Sequence, residues 1–223
     1  MAARLKPLLP EIVFVGGCTT GLMMTDPAAS PVRATDDVDV IVEVASYAEY
    51  ARFSKRLHNL GFSEDSSEGA PICRWIIDHM KLDVMPTDET ILGFSNRWYK
   101  PAIEAAAIVA LDGFELRVVT TPYFIGTKLE ASRGRGKGDF YASSDLEDII
   151  TVLDGRPTVV EDVVDSPSEL RRYIGREVGK LLDNPEFVNA LPGHLAGDEI
   201  SQARVPTVLS GIFRLDSPIQ LAL

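Results

Sequence analysis

The chain has 223 residues, of which 45% are apolar and 25% charged, and its formal net charge is −11. That length accommodates one large domain or two small ones, each with a real core, and the composition excludes a disordered chain. The acidic balance argues against coating nucleic acid through a general basic surface, although it is compatible with a local cationic site.

The first residues, MAARLKPLLPE, lack an apolar segment and a small-residue cleavage site, so no signal peptide is expected. Residues 11–15 (EIVFV) form an apolar run that ends at Gly16-Gly17, which predicts a buried strand. Thr19, Thr20 and the GLMM after them predict a short helix, and the two prolines in residues 26–35 predict a loop. A second, β-branched strand is expected over 38–44. Ser46 and Glu49 form a capping box for a helix running to about Asn59, with Gly61 just beyond its end. ICRWII and KLDVM predict the strands of a hairpin turning at Asp78-His79, with Pro86 closing the second. WYKPAIEAAA predicts a short helix broken at Pro101, and residues 108–120 predict two strands joined at Asp112-Gly113.

Beyond Thr121-Pro122 the pattern becomes helical. Helices are expected over 123–132, over 144–153 with Ser144 as N-cap, from Ser166-Pro167 to near Asn184, and over 200–213. The expected fold class is α+β, a sheet domain over 1–120 followed by a helical domain over 121–223. No apolar run reaches the length of a membrane span, and Cys18 and Cys73 stand in neither a disulfide framework nor a metal-binding spacing. The expected compartment is the cytoplasm.

Four features bear on chemistry. Asp37 and Asp39 are two apart in a strand, so both side chains face the same way, about 6.5–7 Å apart. Either that face is exposed and acidic, or a divalent metal balances the repulsion; the neighbours Val38, Val40, Ile41 and Val42 are too apolar for an exposed meander. Asp36 falls on the other face and is read as solvated. Asp83 is a lone carboxylate in an apolar strand, where it needs a partner: Arg74 or Lys81 on the hairpin, or a metal. If its strand lies beside that of Asp37, three carboxylates converge as a ligand set for Mg²⁺ shared with phosphates. Gly16-Gly17 is either a tight turn or a place where backbone N–H groups approach an anion.

Arg133, Arg135 and Lys137 lie in RGRGKG, which has neither the spacing nor the preceding strand of a Walker motif. This segment is either a solvated turn or a mobile clamp on a nucleotide or RNA backbone, with Arg33 and Lys100 as further members of such a rim. His58, His79 and His194 show no ligand spacing. Trp75, Trp98 and Tyr99 are read as core or pocket walls.

An apolar strand, Gly-Gly, then Asp-Val-Asp, then a later strand with an aspartate among apolar residues resembles the DNA polymerase β-type nucleotidyltransferase superfamily. Its signature is Gly-Gly or Gly-Ser followed by Asp-x-Asp, with a third Asp on a neighbouring strand. TKLEA and SDLEDI further resemble the AbiEii/MenT-type nucleotidyltransferases, bacterial proteins known mostly as toxins of toxin–antitoxin systems. The first likeness covers about residues 11–86 and the second extends it to about 155.

The resemblance implies a mixed sheet flanked by helices, with the helical domain completing the site. It implies Asp37, Asp39 and Asp83 as catalytic residues and as ligands of two Mg²⁺ ions, with Mn²⁺ as a substitute. Asp83 would also help deprotonate the acceptor hydroxyl. Gly16, Gly17, Lys128 and Asp148 would bind the nucleotide, ATP or another NTP, with Asp145 as the alternative to Asp148. Many members have Gly-Ser where this chain has Gly-Gly, so Thr19 or Thr20 would have to supply the missing hydroxyl. The acceptor would be a tRNA 3′ end, with an antitoxin as partner. The other readings are a small-molecule hydroxyl, as in antibiotic-modifying relatives, and a nucleotide-binding module without catalysis.

Overall fold

The computed structural model describes residues 1–29, 31–135, 139–195 and 197–216, without the side chains of 134 and 135. In chain order they form β1 (Ile12–Val15), α1 (Thr20–Met23), β2 (Asp37–Val42), α2 (Tyr47–Asn59), β3 (Ser63–Glu64), β4 (Arg74–Ile77) and β5 (Met80–Pro86). Then come α3 (Glu89–Leu92), α4 (Tyr99–Glu104), β6 (Ala107–Leu111), β7 (Phe114–Val118) and α5 (Thr121–Arg135). The remainder is helical: α6 (Ser144–Gly155), α7 (Val159–Val164), α8 (Ser168–Leu182), α9 (Pro185–His194) and α10 (Glu199–Phe213). The architecture is the expected α+β one, a mixed sheet flanked by helices and followed by a helical region. No described helix is long and apolar enough to cross a membrane.

The chain divides into two units, Met1–Thr19 with Ala34–Thr120 and Thr20–Arg33 with Thr121–Leu223. The first is built on a sheet of order β3-β4-β5-β2-β1-β7-β6. β2 pairs antiparallel with β1 and parallel with β5, while β1 pairs parallel with β7. β1 is buried along its whole length, and β2 passes from half-buried at Asp37 to buried at Val40. The acidic end of β2 is therefore its open end, and its apolar half anchors it.

Both hairpins turn where expected. Asp112 and Gly113 take φ of 49° and 80°, the pair of positive angles that a two-residue hairpin turn needs. Ser46 Oγ accepts from Glu49 N at 3.3 Å, and the Glu49 carboxylate accepts from Ala45 N at 2.7 Å, so the capping box reaches one residue further back than its usual form. The expected break at Pro101 does not occur. Pro101 sits in the first turn of α4, where its missing N–H has no partner within the helix in any case.

The second unit packs α5 against α6 and α8, and α10 against α6 and α8. A Cβ at Gly179 would lie 2.8 Å from the Phe213 ring, so the glycine allows the close approach of α8 and α10. Residues 20–33 are tied to α6 and α10. Thr25 N and Asp26 N both donate to Gly155 O at 3.0 Å, Arg156 donates to Met23 O at 3.1 Å, and Arg204 pairs with Asp26 at 3.2 Å. The N-cap of α6 is Ser143 rather than Ser144. The short helices α3 and α7 and the helix α9 have no counterpart in the expectations from sequence.

Candidate active site

In the first unit the strand register gathers the three aspartates. Asp39 is directly beside Asp83 in the parallel β2–β5 pair, and Asp37 is beside Lys81. Residues in register share a face of the sheet, so Asp37, Asp39, Lys81 and Asp83 all stand on one side. The antiparallel β4–β5 pair places Arg74 opposite Asp83 on that same side.

Arg74 then crosses β5. Its Nε donates to Asp83 Oδ1 and its Nη2 to Asp83 Oδ2, both at 2.8 Å, and the same Nη2 donates to Asp37 Oδ2 at 2.9 Å. The Arg74 and Asp83 side chains are 16% and 10% exposed, so this fork is largely withdrawn from water. The bonds to Asp83 hold the Arg74 pKa above its ordinary value, although desolvation works against the charge. Burial pushes the neighbouring Cys73 thiol up to about 12, with the Asp83 charge adding to it.

Asp39 meets the turn after β1. Gly16 has φ of 70°, and a Cβ there would overlap the Asp39 carboxylate. The glycine thus serves two needs, a left-handed backbone and room for the carboxylate. Cys18 Sγ donates to Val15 O at 3.1 Å and Thr19 Oγ1 to Gly16 O at 2.8 Å, which closes the turn around Gly17. Thr19 is fully buried, with its hydroxyl proton committed to that bond. Thr20, in the second unit, is also fully buried, and among the described residues its Oγ1 has no hydrogen-bond partner.

The donor set of three carboxylates suits a hard divalent cation, and the pair Asp37 and Asp83 already holds a cationic group between them. Its arrangement is that of a charged sheet face rather than a gathered ligand cage: among the described residues no group of three or more His, Cys, Asp or Glu side chains forms a candidate metal site.

The second unit holds a charged cluster of its own. Lys128 of α5, 8% exposed, places Nζ 2.8 Å from Asp148 Oδ2 and 3.1 Å from Asp145 Oδ1. The two aspartates are three apart on α6 and so share a helix face. Burial opposes the ammonium charge, but the carboxylates of Asp145 and Asp148 outweigh it, and the Lys128 pKa is raised. Arg33 reaches Asp148 at 3.4 Å and Glu147 at 3.3 Å. Arg133 lies 3.7 Å from the buried Glu177 of α8 and 3.9 Å from Glu130. Lys100 faces Glu43 at the solvent surface, at 4.0 Å. Lys137 and the side chain of Arg135 lie outside the described residues.

Arg74 is the residue whose role was least visible in the sequence. The sequence offers it only as one of two partners for Asp83 on the hairpin, with Lys81 as the other. The second Arg74 bond, to Asp37, depends on β2 lying next to β5, which no local pattern reveals.

No family model matches the chain, and no curated protein matches it. Among solved structures it is similar to an antigenic nucleotidyltransferase-like protein from Paracoccidioides brasiliensis, at 20% identity over 86% of this chain and 88% of that one, with a TM-score of 0.49.

Proposed function

We propose that the chain is a divalent-cation-dependent nucleotidyltransferase that moves a nucleoside monophosphate from an NTP to a hydroxyl acceptor. The observation that supports this reading is the register of β2 and β5, which sets Asp39 beside Asp83, with Asp37 on the same face and the left-handed Gly16 turn against Asp39.

In this reading Asp37, Asp39 and Asp83 would hold Mg²⁺, or Mn²⁺ in its place, and the bound ions would supply charge stabilisation for the phosphoryl oxygens. The acceptor oxygen forms the new bond to the α-phosphorus, the bond from that phosphorus to the bridging oxygen breaks, and pyrophosphate leaves. Asp83, once released by Arg74, would accept the hydroxyl proton. The turn at Gly16 and Gly17 gives the triphosphate a close approach to backbone. Lys128 and Asp148 act as a buried support in the helical unit, since the lysine charge is already met by two carboxylates.

For the acceptor, the resemblance in the sequence favours an RNA 3′ hydroxyl and a toxin-like role held in check by an antitoxin. The net charge of −11 favours the second reading, a small-molecule hydroxyl. The test is incubation of the purified chain with each labelled NTP, Mg²⁺, total RNA and a small-molecule extract. Label in RNA supports the first reading, label in small molecules only supports the second, and nucleotide binding without pyrophosphate release overturns transfer altogether. Asp39→Ala is expected to abolish transfer while the circular dichroism spectrum stays that of the parent.

A further inference from the structure

We propose that Arg74 is a built-in competitor for the divalent cation: its guanidinium locks Asp37 to Asp83, and a metal ion binds those two carboxylates fully when it displaces that guanidinium. This rests on the reading that the carboxylates serve a metal.

The argument starts from lone pairs. Arg74 takes both oxygens of Asp83 and Oδ2 of Asp37 through three bonds of 2.8–2.9 Å. The fork takes the electron pairs that a cation held across both Asp83 oxygens would need, and the guanidinium charge repels a cation from the pairs that remain, so the two compete. The lock is also suited to opening. Arg74 is the first residue of β4, and the neighbour of β4 on the outer side is the two-residue, exposed β3. Swinging the Arg74 side chain away breaks no strand-ladder bond.

Lysine is a weaker lock than arginine here, because one ammonium cannot fork Asp83 and reach Asp37 in the same plane.

The experiment is Mn²⁺ titration of the full chain at low salt, read by the loss of the free-ion paramagnetic signal, for wild type, Arg74→Gln and Arg74→Lys. Thermal melts with and without Mn²⁺ accompany it. Arg74→Gln is expected to bind Mn²⁺ about tenfold more tightly than wild type or better, since even one charge-assisted hydrogen bond no longer in competition is worth about that much. Its melting temperature falls without Mn²⁺ and recovers with it, whereas that of wild type hardly moves. Arg74→Lys falls between the two and keeps the test open if the glutamine variant fails to fold. Adding Asp83→Asn to either variant removes the gain.

Equal Mn²⁺ affinity in wild type and the folded variants overturns the proposal, and nucleotide transfer by wild type would then still stand. Tighter Mn²⁺ binding by the variants, with no transfer by wild type, supports the competition and sinks the proposed reaction instead.

Discussion

Gly16 shows how one residue can couple the fold to the site. Its φ of 70° lies where a side chain is disfavoured, and the space for a Cβ is already filled by the Asp39 carboxylate. Gly16→Ala therefore meets two penalties at once, about 1–2 kcal/mol for the left-handed backbone and a further one for moving Asp39. The expected outcome is a lower melting temperature together with a loss of transfer larger than the loss of folded protein explains. A stable variant with full activity would show that Asp39 can move without consequence. The same scale sets the limit of reading from sequence. The alternation of a strand puts Asp37 and Asp39 on one face, and the hairpin offers Arg74 or Lys81 as a partner for Asp83. Neither local rule can tell that one guanidinium will serve two strands, because that depends on sheet order.

At the level of elements, legibility follows locality. The capping box at Ser46, the Asp112-Gly113 turn and the β-branched run of β2 are each governed by neighbours in the chain, and each forms close to where it is expected. The helices α7 and α9 are short, and α9 carries Pro192, a residue that reads as a stop; both are held by packing of Val159, Val163, Phe187 and Ala190. Lys128 is the clearest case of context overriding a local expectation. A lysine in a helix is ordinarily solvated, yet here the lysine is buried and α6 supplies it with two carboxylates. Because its folded-state pKa is raised, its contribution to stability is complete below about pH 10.4 and is lost as the pH climbs through the higher folded value. Lys128→Met leaves Asp148, 2% exposed, with Arg33 at 3.4 Å as its remaining described ion-pair partner. The variant is expected to lose about 3 kcal/mol at pH 8. It should also show a shallower decline than wild type between pH 10 and the folded-state pKa of the lysine. Urea unfolding across that range checks both statements, and parallel curves for the two proteins would remove Lys128 from the account.

The whole chain is not a simple succession of a sheet domain and a helical one. It leaves the sheet unit after Thr19, contributes residues 20–33 to the helical unit, returns at Ala34 and leaves again after Thr120. The excursion is secured by the bonds to Gly155 O, by Arg156 on Met23 O and by Arg204 on Asp26, all made to residues far along the chain. A fragment that ends at residue 120 keeps every strand of the sheet but strips this segment of each of those partners. It also uncovers Met23, which is 3% exposed in the full chain. Such a fragment is expected to show strand signals in its circular dichroism and rapid proteolysis between residues 20 and 33, where the full chain resists. The two sides of this segment carry Gly16-Gly17 and Asp37, so loosening it also frees the ends of the loop that joins them. Mn²⁺ binding by the fragment should then be weaker than that of the full chain carrying the same Arg74→Gln substitution. Equal affinity, with residues 20–33 still resistant to protease, would mean that the sheet unit organises its carboxylates without the helical unit, and that the excursion has no part in the site.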